Sequence, residues 1–520
     1  MFTKLDNLKC SGKDIVNERG EKVVLRGTNF GGWLLREGWM DTGAFEIPLQ
    51  SDEIIYEPNN RLIIFDFGRP SRWNRFELAG GLEGEYGVYS SEDGINWRCE
   101  WCGIPLGLKE APFDEQRPVS YDIQGNAYKK GIYIKDRKVC FPEVQARFCK
   151  ITGDFNLEDV VVSRFGDVDE YISRKTLEER FGVDGTESLL ETYQKVYITK
   201  EDIDYVKNLG FNFVRIPIYW QEIMDKEGNI KDNAWDELDW IVEQCRDKEI
   251  YLMLDYHGAP GGNTSGSITC GQLDSNELWN NKVYQEMSCK IWKSISERYK
   301  EEPTIAAYDL LNEPATAWYQ SMEGALKTEE ETGEVYLCDD IRKTICAMYD
   351  KLYHSVRQTG DLHIISMQPF VDWDLLGNPS AHEWSQIMYQ IHCYAGDWRS
   401  EEGTIKEVRR SLGLFQKYQK QWNIPILAGE FCFWEFEKAW DIWLSGLEEL
   451  EIHWSNWTYK NVDPNKKDNW SIFYDFQGIF ADLYNNSYEE IQNKFSCYSS
   501  NYYKKNEVLE KILRKWAGGI

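Results

Sequence analysis

Short apolar runs alternate with helical patterns along most of this chain, and the alternation restricts the fold more than any other feature. The run Phe211 to Ile216 predicts a buried strand, and Asp232 to Lys248 follows it with apolar residues at helical spacing. The same alternation recurs until eight strands are predicted. Eight strands that alternate with helices predict an α/β fold, a closed (β/α)8 barrel.

The predicted elements can be located by their apolar residues. For the first strand the prediction rests on Val23 to Leu25. The eight predicted strands are Glu21–Gly27, Phe211–Ile216, Ile250–Leu254, Ile305–Leu310, Leu362–Met367, Ile387–Ile391, Ile424–Leu427 and Ile452–Trp457. The predicted helices are Asp232–Lys248, Lys282–Tyr299, Thr404–Gln421 and Phe436–Leu450.

A stretch near the N-terminus interrupts the alternation. From about Ser51 to Asp167 there is no helical period, only short alternating runs such as Leu62–Phe65 and Tyr86–Tyr89, separated by Gly, Pro and Asn. This texture is typical of an antiparallel β-sandwich. The sequence therefore predicts a barrel from residues 1–50 and 168–520, with an all-β domain of residues 51–167 inserted in the first βα loop. That loop opens on the active-site face of a barrel.

The charge of the chain limits its partners. A formal net charge of −28 argues against nucleic acid or an anionic membrane and suits neutral ligands. No stretch is apolar for long enough to span a bilayer, and Met1 to Asp6 lacks the apolar core of a signal peptide. The sequence thus predicts a cytoplasmic protein, unless an upstream signal has been removed. The oligomeric state is left open.

The thirteen cysteines are scattered and odd in number, which favours reduced and mostly buried thiols. Cys99 and Cys102 have metal-ligand spacing, with Cys140 and Cys149 further along. That segment contains no histidine, and the second pair is too widely spaced for a zinc ribbon. Coincidence is favoured over zinc, and no other motif suggests a metal or nucleotide cofactor.

Two glutamates stand at the ends of predicted strands. Glu313 follows the run that ends at Leu310, and Glu430 follows the run that ends at Leu427. The carboxyl ends of barrel strands open onto the active-site face, so a carboxyl group there is a candidate for chemistry. Two facing carboxyl groups are what glycosidic bond cleavage requires, one as proton donor and one as nucleophile. Taken alone, each glutamate would more often be a solvated surface charge.

Six segments lie in order at successive predicted strand ends. They are Arg26–Leu34 (RGTNFGGWL), Val214–Ile218 (VRIPI), Asp255–Gly261 (DYHGAPG), Asn312–Pro314 (NEP), His392–Tyr394 (HCY) and Gly429–Glu430. Together they resemble glycoside hydrolase family 5, in particular its exo-β-1,3-glucanase-like members. The resemblance covers residues 1 to about 50 and 168 to 520.

The resemblance implies a role for each matching residue. Glu313 would be the general acid/base and Glu430 the nucleophile, with Asn312 bonded to the 2-hydroxyl of the sugar. Arg215 would favour the ionised form of Glu430, and Tyr394 would hydrogen-bond to it. The remaining implied substrate-binding residues are Glu37, His257, His392 and Trp457. As isolated residues, a histidine or tryptophan here is more often core packing than a ligand contact.

The predicted insert resembles a discoidin-type (factor 5/8 C-type) sandwich. The matching segments are Ile64–Gly68, Tyr89–Trp97 and Ala146–Ile151, in which Asp93-Gly94 forms a hairpin turn. Many carbohydrate-binding modules have this architecture. The matched positions mainly determine the fold, so a sugar-binding insert and a purely structural one are both left open.

The sequence thus predicts a retaining β-glycosidase that cuts β-glucosides or short β-glucans from the non-reducing end. Its two carboxyl groups should lie about 5–5.5 Å apart, whereas roughly 9 Å would indicate an inverting enzyme. A family relative that cleaves glycolipids or diglycosides is the alternative within enzymes. A carbohydrate-binding barrel without activity is the alternative of another class.

Overall fold

The computed structural model describes residues 5–37, 40, 47–78, 84–105, 119–121, 127–129, 133–135, 138–153, 160–164, 169–264, 271–272, 275–314, 326–329, 334–394, 400–462 and 471–518. The strands in these residues are β1 Lys9–Ser11, β2 Asp14–Val16, β3 Arg26–Asn29, β4 Ile47–Pro48, β5 Glu53–Glu57, β6 Leu62–Leu78, β7 Tyr86–Ser91, β8 Arg98–Gly103, β9 Val119–Tyr121, β10 Ala127–Lys129, β11 Tyr133–Lys135, β12 Lys138–Thr152, β13 Val160–Arg164, β14 Phe213–Tyr219, β15 Tyr251–Gly258, β16 Ile305–Asp309, β17 Leu326–Thr328, β18 Val335–Leu337, β19 Ile364–Met367, β20 Ile387–Tyr394, β21 Ile426–Cys432, β22 His453–Asn456, β23 Phe473–Phe476 and β24 Tyr503–Lys505. The α-helices are α1 Glu170–Tyr197, α2 Lys200–Asn208, α3 Trp220–Ile223, α4 Asp236–Lys248, α5 Lys282–Tyr299, α6 Asp339–Arg357, α7 Glu401–Trp422, α8 Glu437–Leu450, α9 Tyr488–Phe495 and α10 Glu507–Ala517.

Eight parallel strands close into a barrel, which confirms the predicted fold class. Their order is β14-β15-β16-β19-β20-β21-β22-β3, and the pairing between β22 and β3 closes the ring. Every residue of β14, β15, β16 and β21 is buried. Burial on both faces is expected for parallel strands, because the crossover helices cover the outside of the barrel. These strands therefore form a rigid ring whose C-terminal ends can position side chains.

The first barrel strand lies later in the chain than predicted. The structure has β3 at Arg26–Asn29, and Val23 to Leu25 precede it without strand pairing. The Val23 N–H donates to the Ile15 carbonyl, and Leu25 joins an apolar cluster with the first residues of several barrel strands. Leu25 is buried in this cluster, whereas Val23 and Val24 are only partly buried. The prediction of a strand over Val23 to Leu25 was therefore wrong.

The other seven predicted strands overlap observed ones, with one difference that matters for the site. The strand predicted at Ile424–Leu427 runs in the structure from Ile426 to Cys432. The predicted strand ended before Gly429 and Glu430 because the apolar run ends there. In the structure, pairing with β20 extends the strand through Glu430. Glu430 is consequently a strand residue with a fixed backbone rather than part of a loop.

Between β3 and α1 the sequence carries a separate antiparallel sheet. Its strands pair in the order β4-β13-β6-β12-β7-β8, with β5 beside β6 and β11 beside β12. The long strands β6 and β12 share most of their length. Their inward side chains form an apolar cluster that is rich in aromatic residues and includes Phe65, Trp73, Phe76 and Phe141. This sheet is an all-β core of its own.

The chain divides into two compact units. Unit 1 comprises residues 1–41, 188–479 and 495–520 and contains the barrel, while unit 2 comprises residues 42–187 and 480–494 and contains the separate sheet. The boundaries predicted from the sequence, 51–167 for the insert, stay a prediction. Among the described residues, no helix is both long enough and apolar enough to cross a bilayer.

Candidate active site

Glu313 and Glu430 come together at the C-terminal end of the barrel. Glu430 belongs to β21, and Glu313 lies four residues beyond the end of β16. The His392 Nδ1 atom joins them, lying 2.7 Å from Glu313 Oε1 and 3.4 Å from Glu430 Oε2. One carboxylate oxygen of each glutamate lies within 4.8 Å of one from the other. Both carboxyl groups are buried, so their charges interact in a medium that screens them less than water does.

A bulge in the sheet aligns Glu430 with His392. Along β20 and β21 the partners are Ile391 with Ala428 and then His392 with Glu430, so Gly429 has no partner. Bulges of this kind redirect a side chain next to an active site. Residue 429 must also be glycine, because a Cβ atom there would lie 1.9 Å from Gln390 Oε1. The Gly429-Glu430 pair of the sequence thus has a steric cause.

The backbone of Glu313 has an uncommon conformation. Its φ is 37°, in the left-handed region that residues other than glycine rarely adopt. The Glu313 N–H donates to Gln368 Oε1 over 2.9 Å, which fixes the peptide in this orientation. Such conformations cost roughly 1–3 kcal/mol and are concentrated at functional sites. The chain is therefore held so that the Glu313 carboxyl group reaches His392.

Arg215 organises the surroundings of Glu430. Its guanidinium is fully buried and donates from Nη1 to Glu430 Oε1 over 2.6 Å. The Nε and Nη2 atoms donate to Asp309 Oδ2 over 3.0 and 2.8 Å, and Nη2 also lies 3.0 Å from Asp255 Oδ2. Arg215 thereby touches carboxylates from three further barrel strands. The planar guanidinium can make these contacts at fixed angles, which a lysine cannot.

The surroundings of Glu430 favour its ionised form. Burial raises the pKa of this carboxyl group, but the charges of His392 and Arg215 outweigh burial, so the net pKa lies below its usual value. The Tyr394 hydroxyl adds to this by donating to Glu430 Oε2 over 2.7 Å. Both oxygens of Glu430 are thus hydrogen-bonded, and the group is held as a carboxylate.

A second polar group lies beside this pair. His257 Nδ1 lies 2.6 Å from Asp255 Oδ2, and Nε2 lies 3.2 Å from Glu37 Oε1. Burial lowers the pKa of His257, but Asp255 and Glu37 outweigh it and raise the pKa to about 10. The two carboxylates thus favour the protonated form of His257, in which Nδ1 donates to Asp255. Asn312 Nδ2 is 3.1 Å from His257 Nε2, and Asn312 Oδ1 accepts from Arg215 Nη2 over 2.9 Å.

Trp457 closes the same region. Its indole stacks on the His257 ring with centroids 5.6 Å apart and an angle of 16° between the planes. The side chain is only 2% exposed, so its observed contact is with the imidazole. The role under a sugar ring stays a prediction for this residue.

The structure brings all nine predicted site residues together through contacts that run from one to the next. The roles assigned to them stay predictions. The nine are Glu37, Arg215, His257, Asn312, Glu313, His392, Tyr394, Glu430 and Trp457.

Sequence reasoning missed a set of polar residues that holds Arg215 and Asn312. Asp309 Oδ2 accepts from Gln368 Nε2 and Gln390 Nε2 as well as from Arg215, and Asn29 Oδ1 accepts from Arg215 Nη1. Asp309, Gln368 and Gln390 each lie within a run of apolar strand residues or directly after one, whereas Asn29 follows Arg26-Gly27-Thr28. A polar residue inside an otherwise apolar buried strand was the signal that could have identified them, because such a group needs a partner.

The residue types and their spacing suit two kinds of chemistry, metal binding and acid–nucleophile catalysis. Glu313, His392 and Glu430 have the spacing of a metal site, the one such group among the described residues. The same spacing suits a proton donor opposite a nucleophile. Arg215 and Tyr394 already occupy both oxygens of Glu430, which favours the second use.

The match to a family profile supports the second use, and the chain is also similar to several known proteins. Residues 176–463 match the family profile of cellulase, glycosyl hydrolase family 5, over more than half of the chain. A β-xylosidase of Phanerodontia chrysosporium is 23% identical over 352 residues, which are 62% of this chain and 68% of that protein. Endoglucanase C of Acetivibrio thermocellus is 28% identical over 310 residues, 51% of this chain and 85% of that protein. Endo-glycoceramidase II from Rhodococcus sp. aligns with a TM-score of 0.40 at 18% identity, over 53% of this chain and 71% of that structure.

Proposed function

The chain belongs to glycosyl hydrolase family 5 and is an O-glycosyl hydrolase, and from this we propose that it is a retaining β-glycosidase with Glu430 as nucleophile and Glu313 as acid/base. The short distance between the two carboxylates carries the proposal. One oxygen of each group lies within 4.8 Å of one oxygen of the other, which fits the roughly 5–5.5 Å between carboxyl groups of retaining enzymes better than the roughly 6.5–9.5 Å of inverting ones. In a retaining enzyme one carboxylate attacks the anomeric carbon itself, so the site needs no room for the attacking water of an inverting enzyme.

The reaction would proceed in two displacements. A Glu430 oxygen attacks the anomeric carbon while the bond to the leaving oxygen breaks, and Glu313 gives its proton to that oxygen. Glu313 then removes a proton from water, whose oxygen attacks the anomeric carbon and releases Glu430. His392, at 2.7 Å from Glu313, would orient the acid through both steps. Asn312, fixed by Arg215, would bond to the 2-hydroxyl.

The polar groups beside the pair support a proposal for the substrate class. Glu37, held by His257 Nε2 at 3.2 Å from its Oε1, carries carboxylate oxygens that can accept from the hydroxyls of a terminal sugar. The relatives are named for β-linked xylose and for glucans, both with equatorial hydroxyls. We therefore favour a β-glucoside or short β-glucan that is cut from the non-reducing end.

The decisive test is covalent labelling. The full chain is incubated with a 2-deoxy-2-fluoro-β-glucoside that carries a good leaving group, and the intact mass is followed. A stable gain of one fluoroglucosyl group on the tryptic peptide of residues 421–438, which contains Glu430, is the expected result. Glu430→Gln should take up no label. The matched control Glu297→Gln, an exposed helix residue, should label like the parent.

The sugar released from a natural substrate separates the alternatives. Retention gives the β-anomer first by NMR, whereas first appearance of the α-anomer would overturn the mechanism. If no label forms, a panel of aryl β-glucosides, β-xylosides, diglycosides and a glycolipid tests the other glycones. Sugar binding without turnover of any of them would instead support the inactive barrel.

We further propose that residues 51–167 are a discoidin-like sandwich inserted in the first βα loop. Asp66 and Arg147, one from each of two matching segments, pair at 2.8 Å between β6 and β12. Asp93 accepts from the Ile95 and Asn96 N–H groups, which closes the matching turn. Sedimentation with insoluble β-glucan tests for sugar binding. Loss of sedimentation in Trp97→Ala would support a binding role, and no sedimentation of the parent would support a structural one.

A further inference from the structure

Cys99 and Cys102, in unit 2, place their sulfur atoms 3.0 Å apart, and both side chains are exposed. On a regular strand, residues three apart point to opposite faces and their side chains cannot meet. The two cysteines lie on the same strand, β8. Their contact therefore requires an irregularity in the strand.

The irregularity is a bulge at Glu100. Across β7 and β8 the partners are Tyr89 with Cys99 and then Val88 with Trp101, so Glu100 is the extra residue. Glu100 Oε1 accepts from Ser90 Oγ over 2.5 Å and from Arg98 Nε over 2.6 Å, which anchors the bulge. One inserted residue reverses the alternation and turns both cysteines to the same face.

The neighbouring strand is shaped to accept the pair. The Cys102 Sγ–H donates to the Tyr89 hydroxyl over 3.3 Å. Gly87 is the register partner of Cys102, and a Cβ atom there would lie 2.8 Å from the Tyr89 ring. The absence of a side chain at Gly87 thus leaves room for the phenol beside the thiol.

Metal binding does not account for this pair. A structural zinc takes four ligands, and the two further cysteines that follow in the sequence are not available. Cys149 is buried in the apolar cluster of the sheet, and Cys140 Sγ accepts from Arg75 Nε over 3.1 Å. The pair therefore retains the chemistry of two adjacent thiols.

We propose that Cys99 and Cys102 form a reversible dithiol–disulfide site. Closing the bond requires the sulfurs to approach by about 1 Å, to the usual separation of about 2.05 Å. The bond would lock the bulge at Glu100 and tie the two ends of β8 to each other. The site is independent of the glycosidase reaction proposed for unit 1.

A small disulfide such as oxidised glutathione supplies the oxidising equivalents. One protein thiolate attacks it, forms a mixed disulfide and releases one glutathione thiolate. The second protein thiolate attacks the protein sulfur of that mixed disulfide and releases the second glutathione. Two protein thiols thus lose two protons and two electrons, and one oxidised glutathione becomes two reduced molecules.

Closure should be slow at neutral pH. Desolvation and the hydrogen bond that Cys99 makes to Cys102 raise the pKa of Cys99 to about 11, and only the thiolate attacks. The rate of disulfide closure should therefore rise several-fold for each pH unit between 7 and 9. At a fixed glutathione ratio, closure should reach its final extent at pH 7 as well as at pH 9.

The experiment uses the full chain in buffers of reduced and oxidised glutathione, quenched by alkylation under denaturing conditions. We expect the number of alkylated thiols to fall by two, and the tryptic peptide of residues 99–109 to become lighter by two hydrogen atoms. Adding reduced glutathione should restore both thiols. A glutathione adduct on this peptide that persists without closure would overturn the proposal, as would unchanged alkylation of both cysteines.

Single substitutions provide the controls. Cys99→Ser and Cys102→Ser should each hold a mixed disulfide with glutathione, because the resolving thiol is missing. Cys346→Ser, which removes a partly buried cysteine of α6, should close like the parent. Since Cys99 and Cys102 are exposed, their serine variants should melt within a few °C of the parent. If Cys99→Ser still lost two thiols, another pair would be responsible and the proposal would fail.

Discussion

Two arginines, one in each unit, make nearly the same pair of bonds but in different surroundings. In unit 2, Arg147 donates from Nε and Nη2 to Asp66, and its side chain is 43% exposed. In unit 1, Arg215 donates from Nε and Nη2 to Asp309, and its side chain is fully buried. Arg147 also stacks on Phe148, whereas Arg215 extends to Glu430, Asp255, Asn29 and Asn312.

The comparison teaches where charge serves stability and where it serves chemistry. Taking an ion out of water costs several kcal/mol, and apolar residues of the same size often stabilise a protein more than a buried ion pair does. A buried set as large as that around Arg215 is therefore a poor stabilising device. It is a good device for holding a carboxylate ionised in a fixed position, which a nucleophile requires.

Glu430→Gln should have the largest effect. The amide cannot attack the anomeric carbon, so kcat should fall by about 10⁴-fold or more while sugar binding is kept. Steady-state kinetics on an aryl β-glucoside and isothermal titration with the product sugar measure the two quantities. Glu297→Gln, with the same chemical change on an exposed helix, should match the parent in both. Turnover that persisted in Glu430→Gln would place the nucleophile elsewhere.

Arg215→Lys tests the buried arginine while keeping its charge. One ammonium cannot reach Glu430, Asp309 and Asn312 together, so kcat/KM should fall by about 10²–10³-fold. Burial raises the pKa of Glu430, and Arg215 opposes that rise. A lysine ammonium that reaches Glu430 less closely opposes it less, so the pKa of Glu430 should rise. The acidic limb of the kcat/KM–pH profile should move to higher pH. An unchanged profile would show that charge alone, without the guanidinium geometry, is sufficient.

Asp309→Asn breaks the ion pair between Asp309 and Arg215, which is the buried counterpart of the pair between Asp66 and Arg147. We expect kcat to fall by about 10–100-fold, with little change in KM, because the guanidinium loses a fixed partner but substrate contacts remain. Asp309→Glu, which restores the carboxylate, should recover part of the loss. A purely structural role would lower the amount of folded enzyme without altering kcat per active site, and titration with the fluoroglucoside counts those sites.

The same variant should show a pH-dependent change in stability. Burial raises the pKa of Asp309 to about 6, although Arg215 opposes this, so the folded state holds a proton that the unfolded state has lost between about pH 4 and 6. The stabilising contribution of that proton is complete below about pH 4 and is lost as pH rises through 6. The parent should therefore exceed Asp309→Asn in melting temperature by more at pH 4.5 than at pH 7. A difference in melting temperature that did not vary with pH would contradict this shift.

Asp66→Asn should have the smallest effect and so sharpen the comparison. The ion pair is partly exposed, and exposed pairs contribute little because water and salt screen them. The melting temperature should fall by roughly 1–3 °C, and kcat and KM should stay at parental values. If Asp66→Asn reduced kcat as much as Asp309→Asn, burial would not be what distinguishes the two arginines.

Much of the fold and the site could be predicted because the relevant signals are local in sequence. Seven of the eight barrel strands overlap apolar runs of strand length between helical patterns, which depend on neighbouring residues alone. Glu313 and Glu430 stand out because a carboxyl group ends each of two such runs. Their resemblance to family 5 motifs then named seven further residues, all of which the structure brings into one connected group.

Other features depended on partners far along the chain, and only the tertiary structure decided them. Val23 to Leu25 is as apolar as a strand, yet β3 begins at Arg26 and Leu25 packs in a cluster with residues of several other barrel strands. The bulges at Gly429 and Glu100 are set by pairing with β20 and β7, and no local pattern announces an extra residue. Gln368 and Gln390 acquire their roles from Asp309, and Gln368 also from Glu313, all of them distant along the chain.

The sequence by itself thus determined which apolar runs are buried, in what order the strands follow and which carboxyl groups end them. The tertiary structure decided the register, and with it which side chains meet. The physical reason is that burial depends on each residue's own transfer from water, whereas register depends on hydrogen bonds and side-chain contacts between segments distant in sequence. A shift of one residue in β21 would leave its composition unchanged and turn Glu430 away from His392 and Arg215.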